Sequence, residues 1–470
     1  MRDQPQAAPY RPDPQILALA EWLADPVVAA EFPHRELRFR NRRWDAAVGL
    51  ADLTDADWLR HFAAFEPMPG NLPQPLALRY HGHQFRAYNP EIGDGRGFLF
   101  AQLRDAPGGL GGRLLDLGTK GSGLTPYSRT ADGRLTLKGA VREILATEML
   151  EALGVYTSKT FSVTETGEDL VRGDEPSPTR SAVLVRLSHS HIRIGTFQRL
   201  AVLEEDAHLA ALVEYCLAQF PGPLPPGDAP GREQPAVILL HQAAERLADL
   251  AASYMAAGFV HGVLNSDNMN VTGESFDYGP WRWLPRWDPG FTAAYFDHSG
   301  LYAFGRQAEA IRWNLAQLAI ALHRIADAPP LVAAIERFPA LYHAAMSRRF
   351  CWRLGVASHG LERDFSLIEA AERTMRERGT GPDAFFFTHR GARGAEGALA
   401  EALSGYAAVA DENAYWAGSG PQAMLIDEVE AIWDAIAARD DWQPLTAKIA
   451  AVRAMGDALG EAPAPAGHQG

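Results

Sequence analysis

The chain has 470 residues, 47% of them hydrophobic, with 11 Trp and 21 Phe, which excludes a disordered polymer and allows a core larger than one small domain. Its formal net charge of −14, from 58 acidic against 44 basic residues, lacks the basic footprint of a general nucleic-acid binder, although arginines focused in a cleft still suit a small phosphorylated ligand. Cys216 and Cys351 alone exclude a disulfide framework and a cysteine zinc cluster, while no signal-peptide core and no apolar run near the ~20 residues of a membrane span are present, so a cytoplasmic protein without membrane or nucleic-acid partners is expected.

Residues 1–74 read as a Pro-rich lead followed by short helices, an extension packed on the main body with Trp22, Leu23 and Phe32 as anchors. Between 75 and 200 the texture changes to short alternating apolar runs (PLALRY, GFLFAQL, RLLDLG, TFSVTET, SAVLVRLS) separated by Gly- and Asp-rich turns, which predicts antiparallel strands. One helix interrupts them over Lys138–Leu153, where Val141, Ile144, Leu145, Met149 and Leu150 recur at helical spacing. From 201 to 460 the chain is mainly helical. Helices are expected over Ala201–Phe220 and Ala236–Ala257, flanking an exposed Pro/Gly-rich loop, and then around 305–325, 330–348, 364–377, 395–409, 421–438 and 444–459. A loop segment occupies 258–300, and 461–470 read as a disordered tail. A strand-rich part holding one helix, followed by a helical part that opens on a polar loop, outlines an α+β, bilobal, kinase-like fold.

The segment His261-Gly-Val-Leu-Asn-Ser-Asp267-Asn268 carries the most chemistry. In a protein kinase the catalytic loop reads H-R-D-L-x-x-x-N, its Asp accepting the substrate proton and its Asn holding a metal ion. Here His261 and Leu264 keep their places and Asn268 stands seven residues after the histidine, but Val263 occupies the place of the base. A valine accepts no proton, so Asp267 is the nearby carboxylate left to substitute. Nine residues beyond Asn268 comes Phe-Asp277-Tyr-Gly, echoing the D-F-G element whose Asp ligates magnesium. An isolated Asp-Asn pair would be a polar turn bonding its own backbone. The agreeing spacings of His261, Asn268 and Asp277 point instead to a metal site with hard oxygen ligands, completed by nucleotide phosphates and water.

Upstream, Leu115-Asp-Leu-Gly-Thr-Lys120 reads as a strand ending in a lysine, and Glu143 follows inside the lone helix; kinases hold phosphates with such a strand-lysine and helix-glutamate pair. Gly93-Asp-Gly95-Arg96-Gly and Lys120-Gly-Ser-Gly are Gly-rich turns whose amides can approach phosphate, or else plain tight turns. Arg186 and Arg193 flank Leu-Ser-His-Ser-His-Ile and serve equally as phosphate forks or as ion-paired surface arginines. The His81/His83 and His189/His191 pairs lack accompanying carboxylates or thiols and read as ordinary hydrogen-bonded histidines, and the tryptophans between 281 and 313 as core.

These residues, with the stretches YHGHQF, PEIGDGRG, TKGSGLTPYSRTADGR, KGAVREIL, VLVRLSHSHIRIGTF, HGVLNSDNMN, FDYGPW, WDPGFT, YAFGRQ and WNLAQLAIAL, closely resemble the selenoprotein-O family (bacterial YdiU type) of protein adenylyltransferases, which have a pseudokinase fold. The resemblance runs from about residue 75 to 325. It implies an ATP held flipped relative to a kinase, so that AMP moves to Ser, Thr or Tyr hydroxyls of protein substrates, with UTP and manganese as a related donor and metal. It implies further that Lys120 contacts phosphate and pairs with Glu143, that Gly93, Gly95, Arg96, Asp132, Gly133, Arg186 and Arg193 line the nucleotide pocket, that Asn268 and Asp277 bind Mg2+ or Mn2+, and that Asp267 is the proton acceptor. The chain departs from the family in having no cysteine near its C-terminus, so redox control through such a residue is not expected, and its last third follows the family pattern less closely. A catalytically silent nucleotide-binding scaffold, motivated by Val263, and an atypical protein kinase are the alternatives that stay open.

Overall fold

The protein is described by a computed structural model covering residues 9–105, 112–173, 175–409 and 413–463, so most of the expected tail and the first eight residues lie outside the described residues. In chain order the strands are β1 (Ala24–Pro26), β2 (Glu36–Arg40), β3 (Leu76–Leu78), β4 (Gly82–Gln84), β5 (Ala87–Asn89), β6 (Leu99–Arg104), β7 (Leu114–Lys120), β8 (Leu135–Thr136), β9 (Lys159–Leu170), β10 (Thr179–Ser188), β11 (Phe259–Val260) and β12 (Arg282–Trp283). One antiparallel sheet takes the order β1-β3-β6-β7-β10-β9-β2, with β8 paired to β10; β4–β5 and β11–β12 are separate two-stranded pairs. The chain is thus mixed α+β, strand-rich first and helical later, as its texture predicts.

Period-two alternation explains why the central strands read as nearly continuous apolar runs. On β10, Ala182 and Leu184 join the core under the Leu137–Ala152 helix, while Val183, Val185 and Leu187 pack on the opposite face with Phe100, Leu115 and Phe161. That second face is closed by Trp58 and Phe62 of the Asp55–Phe62 helix, with Phe32 and Met68 in the same cluster. The first 74 residues also supply both edges of the sheet, β1 pairing with β3 and β2 with β9. Both edge strands are short, β1 ending on Pro26 and β2 reading ELRFR, which blunts them against pairing with another chain. Neither strand was anticipated: three residues are too few for a period, and the charges of β2 hide one.

The Leu137–Ala152 helix begins one residue ahead of expectation because Thr136 caps it, its hydroxyl accepting the Gly139 amide. In the later part the buried Pro235–Ala257 helix is flanked by Gln307–Leu322 and Phe338–Leu354, and Gly258 ends it in the left-handed region at φ 66°. The expected Ala201–Phe220 helix is replaced by two, Ile194–Val202 and Asp206–Gln219, broken where Glu204 takes φ 59°. No Gly or Pro marks that break, so apolar spacing alone ran through it. Likewise 330–348 divides into Ala328–Glu336 and Phe338–Leu354, whose Pro339 sits in the first turn and opens a helix rather than interrupting one. The 395–409 helix shortens to Gly397–Ala402, and Pro382–His389 is an additional helix. The segment 221–234 is irregular and mostly exposed, as expected.

Candidate active site

Four elements deliver charged side chains to one place. Lys120 ends β7, Arg186 lies on neighbouring β10 where it faces Gly118, Glu143 projects from the Leu137–Ala152 helix, and Asp277 follows the polar loop at φ 61°. Lys120 Nζ stands 2.7 Å from Glu143 Oε2 and 3.1 Å from Asp277 Oδ1. Arg186 Nη2 lies 2.6 Å from Glu143 Oε1 and 3.5 Å from Asp277 Oδ1. Two cations and two carboxylates therefore form one alternating network, in which Glu143 is shared and Arg186 is as close a partner as Lys120. Burial pushes the Asp277 carboxyl up, but Lys120, Arg186 and Arg193 outweigh it and hold the group well below the usual carboxylate range. The same opposition, burial against Arg186 and Lys120, leaves Glu143 lowered. Both are ionised at neutral pH.

A second cluster adjoins the first. The Asn265–Asn268 segment is a short 3-10 turn over Ser266–Asn268, preceded by buried His261, whose Nε2–H donates to the Phe276 carbonyl at 3.1 Å. That bond ties the loop to the residue before Asp277. Burial lowers the His261 pKa and keeps the ring neutral, which suits a donor to a carbonyl. Arg193 Nη1 donates to the Asp267 carbonyl at 3.3 Å, and its Nη2 lies 3.1 Å from Asp94 Oδ1. The guanidinium is sandwiched between aromatic faces, 4.3 Å from the Tyr80 ring centroid and 5.0 Å from that of Phe276.

Asp267 is buried, and desolvation pushes its carboxyl up to about 6 against the opposing pull of Arg193. Its Oδ1 has no hydrogen-bond partner among the described residues. A divalent ion nearby would add its own charge and lower this value again. A carboxylate with one bare oxygen is equipped to accept a proton. Val263 takes no part in such chemistry through its side chain; its carbonyl accepts from Asn268 Nδ2 at 2.9 Å, which turns the other end of the amide, Oδ1, into a free acceptor.

A divalent cation fits the donor set. Asn268 Oδ1 and the Asp277 carboxylate are hard oxygens of the kind Mg2+ and Mn2+ prefer. No group of three or more His, Cys, Asp and Glu side chains among the described residues is placed to hold a metal, so a cation on Asn268 and Asp277 would need a ligand's oxygens and water to complete its shell. Mg2+ bound with nucleotide phosphates has such a shell.

The remaining expected residues divide. Arg96 faces Asp277 electrostatically, and its carbonyl accepts the Gly121 amide at 2.7 Å, which joins the two Gly-rich turns. Gly133 is tied to the second of these turns, its carbonyl accepting from the Gly123 amide at 3.2 Å. Gly93 is demanded by packing: a Cβ there would meet the Tyr127 ring at 2.4 Å. Gly95 is braced through its carbonyl by Ser128 Oγ. Asp132 is turned toward Arg172, 2.8 Å from its Nη1, and makes no contact with either charged cluster. The histidine pairs are hydrogen-bonded as expected, for example His81 to Tyr88 and His191 to Asp116, and Trp281, Trp283 and Trp287 are buried core, whereas Trp313 is only partly buried, with its ring against His83 and Arg86. Sequence reasoning missed Asp94 and Gln84. Asp94 stands inside the GDGRG turn, where the glycines and Arg96 drew attention. Gln84, whose Nε2 reaches Asp267 Oδ2 at 3.4 Å, stands inside YHGHQF.

Known proteins resemble the chain along most of its length. The family model described as "Protein adenylyltransferase SelO" matches residues 8–404. A protein of Synechococcus elongatus named protein nucleotidyltransferase YdiU is 41% identical over 489 aligned positions, covering 96% of this chain and 96% of its own length. Relatives of the same name are 42% identical in Gloeobacter violaceus, over 92% of each chain, and 46% identical in Synechocystis, over 74% of this chain and 71% of that one.

Proposed function

The chain belongs to the SelO family of protein adenylyltransferases, and from that premise we propose that it transfers AMP from ATP to Ser, Thr or Tyr hydroxyls of proteins, releasing pyrophosphate, with UMP transfer from UTP as a related activity. The observation that carries this reading is the exchange at the base position. Val263 stands where a kinase would place its carboxylate, while Asp267 presents a buried oxygen without a partner among the described residues, beside the network of Lys120, Glu143 and Arg186. We read the strand-rich and helical parts as the two lobes of a pseudokinase-like fold, dividing near residue 200, with 1–74 as an extension on the first.

In this reading Lys120 and Arg186, both anchored on Glu143, hold the nucleotide phosphates, and Arg193, Arg96 and the turns at Gly93, Gly95 and Gly133 shape the pocket around them, with Asp132 at its edge. Asn268 and Asp277 would hold Mg2+ or Mn2+, which neutralises phosphate charge. The acceptor oxygen forms its bond to the α-phosphorus as the bond to the pyrophosphate oxygen breaks, and the hydroxyl proton passes to Asp267. Preorganised positive charge supplies most of the acceleration and general-base assistance adds about 10²–10⁴-fold.

ATP labelled separately at the α- and γ-phosphates tests this. Incorporation of α-label into protein, lost in Asp277→Ala, is the expected result. Label retained only from the γ-position would make the protein a kinase, and no incorporation from either, with nucleotide binding intact, would make it a silent scaffold.

A further inference from the structure

The β4–β5 hairpin takes no part in the large sheet; it lies on the loop that carries Asp267. The His83 amide donates to Ser266 Oγ at 2.7 Å and the Phe85 amide to Asn265 Oδ1 at 3.0 Å. Both acceptors are held from the helical side as well, Ser266 Oγ donating to Gln198 Oε1 at 2.6 Å and Tyr302 donating to Asn265 Oδ1 at 2.7 Å. Gly82 permits the approach, since a Cβ there would come within 3.0 Å of Ser266 Oγ and 3.3 Å of Asp267 Cβ. Hairpin and loop are one construction.

Within the hairpin, a line of hydrogen bonds has a forced direction. The Glu91 amide N–H can only donate, and it donates to Asn89 Oδ1 at 2.9 Å. The opposite end of Asn89 is therefore its NH2 group, which donates to Gln84 Oε1 at 3.1 Å. The opposite end of Gln84 is then its own NH2 group, and that is what meets Asp267 Oδ2 at 3.4 Å. A backbone donor thus settles two side-chain amides whose orientation would otherwise be free to flip. A contact of this length in the protein alone tightens when substrate completes the site.

We propose that Gln84, aimed by Asn89, is a positioning residue for nucleotidyl transfer: it occupies Oδ2 of Asp267 and leaves Oδ1 as the oxygen that takes the acceptor proton. This rests on the reading of Asp267 as proton acceptor. In the step it serves, the acceptor oxygen bonds to the α-phosphorus, pyrophosphate leaves with the electrons of the broken P–O bond, and the hydroxyl proton moves to Oδ1. A carboxylate free to rotate would present either oxygen in several directions; one held at Oδ2 presents a single oxygen in one direction, and such alignment is a direct component of rate.

The test uses the full-length protein with magnesium, α-labelled ATP and casein as acceptor, scoring label on casein and on the protein itself. Gln84→Met is expected to lower kcat about 10-fold while the KM for ATP and the affinity for a non-hydrolysable ATP analogue stay within about 2-fold. Asn89→Asp, which still accepts from Glu91 but cannot donate to Gln84, should lower kcat in the same direction by less. The double variant should be no slower than Gln84→Met alone, because both changes break one line of bonds. Wild-type kcat in Gln84→Met, or losses that add in the double variant, overturns the proposal. If Gln84→Met fails to fold, wild-type kcat in Asn89→Asp overturns it instead. Asp267→Asn separates the two levels: undiminished transfer in that variant removes Asp267 as the base and this proposal with it. A silent Asp267→Asn beside a fully active Gln84→Met removes only the role of Gln84.

Discussion

The cluster of Lys120, Glu143, Arg186 and Asp277 and the Asp267 loop adjoin one another, yet they are built on opposite electrostatic plans. In the cluster every charge has a partner: Lys120, Glu143, Arg186 and Asp277 alternate in sign within 3.5 Å of one another, and the carboxylates are driven to ionise. In the loop, Asp267 has one oxygen held by Gln84 and the other bare, and burial raises its pKa to about 6. The first arrangement makes a fixed field that needs no reorganisation when a phosphate arrives. In the proposed reaction the second withholds one bond so that a proton can be taken. On that proposal, reactivity is located by what is left unsatisfied, not by how many charges are assembled.

Four substitutions test that contrast. Glu143→Ala leaves Asp277 as the single counter-ion of two buried cations, and breaking a buried pair in this way costs about 3–5 kcal/mol. Urea unfolding should show that loss together with weaker nucleotide binding; a loss below about 1 kcal/mol would mean the network is not the fixed element described. Asp277→Ala touches the same network at its more exposed end. There the effect should fall on chemistry, with transfer reduced about 10²–10³-fold and metal-dependent nucleotide binding lost, while the melting temperature stays near that of the wild type.

Glu274 provides the control for Asp267, since burial pushes it up to about 7 although one of its oxygens accepts the His189 amide at 2.9 Å. A carboxyl raised in the folded state adds stability below its unfolded value near 4.5, loses it progressively as pH climbs to about 7, and is flat beyond. Glu274→Gln keeps the acceptor without the charge. It should match the wild type near pH 4.5 and exceed it at pH 8 by at most about 3 kcal/mol, with transfer activity unchanged. Equal melting curves at both pH values would sink the assignment. The smallest effect is expected behind the cluster, where Arg453 of the Gln443–Leu459 helix pairs with Glu148 on the helix that carries Glu143. Arg453→Ala should cost about 1–2 kcal/mol and leave nucleotide affinity within about 3-fold. A fall as deep as that of Glu143→Ala would show that the C-terminal helix sets the position of Glu143.

The paired half of this contrast was more legible in sequence than the unpaired half. Lys120, Glu143 and Asp277 announce themselves through fixed spacings inside recognisable local patterns, a strand end, a helix face and a D-x-G turn. Arg186 was in view as a phosphate fork, but its bond to Glu143 was not, because nothing local connects β10 to the helix. Asp94 and Gln84 act through contacts 99 and 183 residues away in sequence, beyond any periodicity. The fold shows the same division. The Leu137–Ala152 and Pro235–Ala257 helices lie within one residue of the positions their apolar spacing predicts, whereas β1 and β2 become strands only because a sheet built later in the chain offers them edges.

The hairpin seated on the Asp267 loop has a consequence in time. Residues 82–89 leave the ribosome some 180 residues before the Asn265 and Ser266 side chains that will receive their amides. At about 5–20 residues per second the wait is on the order of ten seconds. During it the acceptors that the His83 and Phe85 amides have in the folded chain do not yet exist. Asp267, the proposed proton acceptor, therefore comes into register only after β1 to β10 and the helices up to Ala257 have been synthesised. Newly made chains interrupted before residue 265 would carry the lysine, the glutamate and both sheet edges, yet lack Asp267, the proposed proton acceptor.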